Sequence, residues 1–230
     1  MNLRAQRVGI WCGPLAGVLI VLGACVVARW IPPWVHPSAS ADEVARVFTQ
    51  HATRIRIGTF IACIGFTLLA PWGVVMAGQV RRQEGSSPVL SQLLVVCTAV
   101  ATVFVVITCC MWGTAVFRPE DTAPDVTRAL DDLAWIVFLF SAPPFTLWAG
   151  TLAFAVLAEP GEPVYPRWVG YLSAWVALLI LPAGLIIFFK HGPFGWAGLV
   201  ALYVPFAVFF AWLVAVTRCT LANLAAGAHD

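Results

Sequence analysis

Residues 40–78 begin Ser40-Ala-Asp-Glu-Val-Ala-Arg-Val-Phe48, pass through Arg54-Ile-Arg56, and continue as an apolar run that includes Ala70-Pro71 and ends at Ala77-Gly78. Ser40 with Glu43 three residues on has the form of a capping box. Val44, Val47, Phe48, His51 and Ile55 then recur at helical spacing and make one stripe. From Ile57 to Val80 there is no Asp, Glu, Lys or Arg, and about 20 such residues are enough to cross the hydrocarbon of a bilayer. The stretch therefore reads as an amphipathic helix, lying along the outer interface or over the mouth of a bundle, that feeds a proline-bent membrane span.

The rest of the chain repeats the second ingredient. The apolar fraction is 61% and the charged fraction 10%, against soluble averages of roughly 45–50% and about 25%. Six long runs lack charge, and in lipid each must satisfy its own backbone hydrogen bonds as a helix. Spans are expected at about 8–30, 55–80, 89–115, 132–158, 168–189 and 195–217, with outer amphipathic segments at 40–54 and 122–132. The fold class is an all-α integral membrane protein, a six-transmembrane-helix bundle forming a single membrane domain over 1–230. In the second outer segment, Thr122 and Asp125 have capping spacing, and Val126, Ala129, Leu130 and Leu133 form the stripe.

The even-numbered spans share a pattern. Pro71 to Ala77, Pro143 to Ala149 and Pro205 to Ala211 have one spacing, which predicts three repeated helical hairpins. Leu22-Gly-Ala-Cys25 has the form of a lipobox, a lipidation site at Cys25. The apolar run nevertheless continues to Ala28 and ends at Arg29-Trp30, as a retained first helix would. An N-terminus in the cytoplasm of a bacterial inner membrane keeps the compact basic pairs Arg4/Arg7 and Arg81-Arg82 inside.

Chemistry is sparse. No span carries a charge at its centre, which disfavours proton relays and voltage sensing. The seven cysteines fall in or beside apolar runs without CxxC spacing, so neither a disulfide framework nor a zinc site is expected. No cofactor motif occurs, and no basic cluster points to nucleic acid. The outer rim gathers His36, His51, Lys190, His191, Asp131 and Asp132, of which Asp131, Asp132, His51 and His191 are the candidates for an acid–base site. Trp11, Trp30, Trp34, Trp112, Trp135, Trp168 and Trp196 stand near span ends, as an aromatic belt would. Trp72, Phe145, Trp148 and Trp212 lie inside the runs and are the candidates to line an apolar pocket.

The segment Arg118-Pro-Glu-Asp121 through Asp125-Val-Thr-Arg-Ala-Leu-Asp-Asp-Leu-Ala-Trp135, with the amphipathic segment before the second span, resembles uncharacterised bacterial six-span membrane proteins. That resemblance implies the same topology and brings no activity with it. The expected role is a non-enzymatic membrane protein that binds a hydrophobic small molecule or lipid, or that serves as an accessory subunit of another membrane protein. A membrane enzyme with an outer-rim Asp/His site and a channel or carrier are the alternatives.

Overall fold

In hydrocarbon a chain saves backbone hydrogen bonds by staying helical, and a proline, which cannot donate one, is a common place for the helix to break. The computed structural model describes residues 3–159 and 161–226. Their α-helices are α1 (Leu3–Ile20, extended by a π-helical stretch to Val27), α2 (Ala41–Gln50), α3 (Ala52–Thr67), α4 (Leu69–Gln83) and α5 (Val89–Ala115). After these come α6 (Pro124–Leu139), α7 (Ala142–Leu157), α8 (Arg167–Ile180) and α9 (Val204–Ala226). Six helical units are long and apolar enough to cross a membrane.

Each even span is interrupted beside its proline. Pro71 lacks an N–H for Thr67, and the second span breaks at Leu68, between α3 and α4. Pro143 and Pro144 fall four residues after Leu139 and Phe140, where α6 gives way to α7. Pro205 follows the π-helical stretch Leu199–Tyr203 that leads into α9. The fifth span changes to a 3₁₀ helix at Leu181–Phe188, next to Pro182.

Consecutive spans pack against one another, and α9 closes the ring on α1. Without a hydrophobic drive between helices in lipid, close backbone approach and fitted side chains do this work. Gly13 of α1 lies against the Trp72 indole, so that a Cβ there would overlap the ring. Gly23 faces the backbone of Gly58 and Ala62 in α3. Trp72, Trp148 and Trp212, from the three even spans, meet edge to face with centroids 5.4–5.6 Å apart.

The end of the bundle that carries α2 is capped by side chains. Ser40 Oγ accepts from Glu43 N–H at 3.2 Å, and Val44 and Phe48 turn inward toward α6. Arg54 donates to Val26 O (3.4 Å), and Arg56 donates to Val116 O (2.8 Å) and Phe117 O (3.3 Å), so both arginines satisfy carbonyls at span ends. At the opposite end, Gln83 ties Ala155 to Val164, and Asn223 donates to Val164 O. Tyr165 is buried against Thr220 (2.7 Å), and that burial pushes its phenol up.

Three expectations for the α2 end are corrected. Thr122 does not cap α6: the helix starts at Pro124 with Ala123 before it, and Thr122 donates to Arg118 O (2.6 Å). The apolar stripe of α6 does not face the bundle either. Val126, Ala129 and Leu133 are exposed and Leu130 is half-buried, whereas Thr127, Asp131, Ala134 and Trp135 are buried. Finally, Trp30, Trp112, Trp135 and Trp196 form no belt. They are buried and pack in series, Trp30 stacked on Trp112 (4.0 Å), Trp112 edge to face with Trp135 (5.2 Å), Trp135 stacked on Trp196 (6.0 Å). Of the seven read as a belt, Trp11 and Trp168 are exposed.

Gly13→Leu forces a branched side chain into the space of Trp72 and is expected to destabilise the protein by about 1–3 kcal/mol, the cost of overpacking. Gly113→Ala, where a Cβ meets open space, is expected to stay within about 0.5 kcal/mol of the parent. Thermal melting in mild detergent reads both.

Candidate functional site

The broken even spans present the same triplet toward the bundle axis. Phe66, Leu69 and Trp72 stand at i, i+3 and i+6, as do Ala142, Phe145 and Trp148, and again Phe206, Phe209 and Trp212. Residues three apart share one helix face. In all three spans the first two members line one cavity and the tryptophan stands one turn below it. The register that counts is therefore that of the tryptophans. Pro71, Pro143 and Pro205 stand one, five and seven residues before them, so the Pro-to-Ala spacing matches the backbone interruptions but not the inward side chains.

The cavity has a volume of about 80 Å³. Beyond the triplets its walls include Ile20 of α1, Val105 of α5 and Ile180 of α8, so all six spans reach it. Ser141 is its one hydroxyl, and that group donates to Phe138 O. A space of this size admits several waters by volume, but the walls offer them almost nothing to bond. Such a cavity suits hydrocarbon.

Below it, the indoles are held in direction as well as place. Trp72 donates to Thr217 Oγ1 (2.9 Å), and Trp212 donates to Ser173 Oγ (2.8 Å). Trp148 is buried with no acceptor for its N–H among the described residues. Phe145 packs on Trp148 (5.8 Å) and on Phe209 (5.3 Å). Of the four residues picked from sequence for a pocket, Phe145 lines the cavity and Trp72, Trp148 and Trp212 form the layer beneath it. The missed lining residues carry a readable signal, the apolar-x-x-apolar-x-x-Trp triplet in each even span.

The four candidate acid–base residues are not brought to one place. Asp131 is 3% exposed and accepts from Trp112 Nε1–H at 2.7 Å. A cleft of about 20 Å³, of single-water size, lies beside it among Trp30, Trp34, Trp112 and Trp135. His51 stacks on Trp34 (4.1 Å). Asp132 faces a different groove together with Arg128 and Lys190, and His191 lines a third space with His36. Among the described residues no group of three His, Cys, Asp or Glu is placed to hold a metal ion. All seven cysteines are free thiols.

Comparison with protein-family models, with curated proteins and with solved structures finds no match for this chain.

The Asp131–Trp112 contact predicts an ordered pair of variants. Asp131→Asn keeps an acceptor for the indole N–H and is expected to melt within about 1 kcal/mol of the parent, whereas Asp131→Leu strands that N–H in a dry site and costs about 1–3 kcal/mol. Equal melting of the two variants would remove the structural role given to this carboxylate.

Proposed function

We propose that this chain is a non-enzymatic, multi-pass membrane protein whose central cavity holds the hydrocarbon part of a lipid or of another hydrophobic small molecule. The observation that carries the reading is the cavity itself. It is apolar, all six spans border it, and it is placed where the even spans break and cannot pack along their whole length. A fold stabilised only by packing has little reason to keep such a space, since each unfilled volume costs dispersion contacts. The scattered polar residues at the α2 end give the acid–base alternative no assembled pair to start from.

The orientation follows the same logic. Arg54 and Arg56 are committed to helix-end carbonyls, while Arg4, Arg7, Arg81 and Arg82 gather at the other end. We assign that basic end to the cytoplasm of a bacterial inner membrane. A fluorescent reporter that matures only in the cytoplasm, fused after residue 230, is expected to light up; a dark, fully expressed fusion reverses the topology.

Mass spectrometry of protein purified in mild detergent, reading small molecules together with the chain, tests the ligand. A stoichiometric hydrophobic compound is expected. Ala142→Leu and Ala183→Leu each fill the cavity from a different span and are expected to lower its occupancy about tenfold, with the protein still folded by thermal melting. Occupancy unchanged in both variants, or no compound in the parent, overturns the reading.

A further inference from the structure

One turn along α6 from the central cavity, and one turn along the 3₁₀ helix Leu181–Phe188, a second space opens at the α2 end. Leu139 and Ala183 belong to the cavity, Ile136 and Ile186 to this groove, so the same two elements wall both. The groove has a volume of about 430 Å³. Its charged walls are Arg128, Asp132 and Lys190, and its apolar walls include Ile136, Ile186 and Ile187. Ile187 is half-exposed beside the strongly exposed Phe188, as residues facing lipid at the end of a span are.

The charges are arranged in an unusual way for a protein surface. Asp132 and Lys190 line one groove with opposite sign, yet they form no ion pair within 4.0 Å. The one ion pair among the described residues is Arg128 with Asp125. Asp132 lies within electrostatic reach of both Arg128 and Lys190 without closing an ion pair to either, so the groove offers both signs of charge to a ligand that carries both. A phosphate fits Lys190 and Arg128, and an ammonium fits Asp132, one turn along α6 from Arg128. Hydrocarbon fits the isoleucines and, beyond them, the cavity.

We propose that the groove seats the headgroup of a phospholipid bearing an ammonium group, with one acyl chain passing between α6 and the Leu181–Phe188 helix toward the central cavity. The proposal rests on the reading of that cavity as a hydrocarbon site, and it adds the chemical class of the occupant and the residues that select it. Lys190 and Arg128 hold the phosphate, and Asp132 distinguishes an ammonium headgroup from a neutral one.

Native mass spectrometry of the full chain in mild detergent provides the test. Dioleoyl phosphatidylethanolamine, dioleoyl phosphatidylglycerol and water-soluble phosphoethanolamine are titrated at equal concentrations. The ethanolamine lipid is expected to bind about fivefold better than the glycerol lipid, soluble phosphoethanolamine not to bind in that range, and Asp132→Asn to erase the preference between the lipids. Lys190→Gln is expected to weaken both lipids about fivefold. Ala142→Leu is expected to weaken both without changing the preference. Thermal melting checks that the groove variants, all at exposed or half-buried positions, stay folded. Soluble phosphoethanolamine binding as tightly as the lipid overturns the chain path. Equal binding of the two lipids, or a preference that survives Asp132→Asn, overturns the headgroup assignment, while a co-purified compound displaced by Ala142→Leu would still leave the cavity reading in place. Absence of both lipid adducts and any co-purified compound overturns both.

Discussion

Trp72 stands where most of the bundle meets. Its ring fills the space left by Gly13 of the first span, touches Trp148 and Trp212 edge to face, and donates its N–H to Thr217 of the sixth. The neighbouring Gly73 has Thr98 of the third span against it, and Trp212 reaches Ser173 of the fifth. One layer therefore engages all six spans. The reason lies in the solvent. Leucine gains nothing by leaving lipid for a protein interior, so helix association depends on close fit and on buried hydrogen bonds. Indole supplies both, since it has a large rigid face for packing and one donor that fixes its direction.

The layer also explains why there is a cavity above it. The three tryptophans tie the even spans together at one depth. One turn higher, the missing proline N–H groups interrupt those spans, and the backbones no longer run parallel enough to close the axis. Large rings at Phe66, Phe145, Phe206 and Phe209 narrow the gap but leave about 80 Å³. Tight fit below and a loosened, bent segment above are a common division of labour: the fitted part defines the fold, and the interrupted part has the space in which something else can be held.

How much of this was legible depended on which physical signal each residue carried. Span number and helix class follow from length and charge, because the cost of burying charge or open backbone in hydrocarbon leaves few options. The α2 stripe was also legible, since Val44, Phe48 and Ile55 cover protein in the usual way. The stripe of α6 misled for a related reason. At the edge of a bilayer an apolar face has two suitable neighbours, protein and lipid, and Val126 and Leu133 face outward while Thr127 and Asp131 go in. The tryptophans near span ends were ambiguous in the same way, because a ring at that depth is equally at home in the headgroup region and in a stacked cap. What decided the case was a partner far along the chain, Asp131 for Trp112 and Trp196 for Trp135, and periodicity does not contain that information. The prolines of the even spans were visible as a shared spacing, and the backbone is interrupted beside each of them. The register of the inward side chains was carried by the triplets ending in tryptophan, which spacing alone would have shown had rings rather than prolines been aligned.

The two ends of the bundle then differ in what their charges do. At the basic end, Arg81 and Gln83 spend their donors on loop and helix-end carbonyls, and Glu84 accepts from Leu90 and Ser91 N–H at the start of α5. At the α2 end, Arg54, Arg56 and Asp131 are similarly occupied with carbonyls and with an indole. A charge used to close a helix end is unavailable to a ligand, because breaking its bonds would return the cost of an unsatisfied carbonyl or N–H. Lys190 and Asp132 do not close a helix end, and both border the groove of about 430 Å³. In a chain with so few charges, a residue whose charge is not needed to complete the fold is the best place to look for recognition, and here two such residues of opposite sign face the same space one turn from the hydrocarbon cavity.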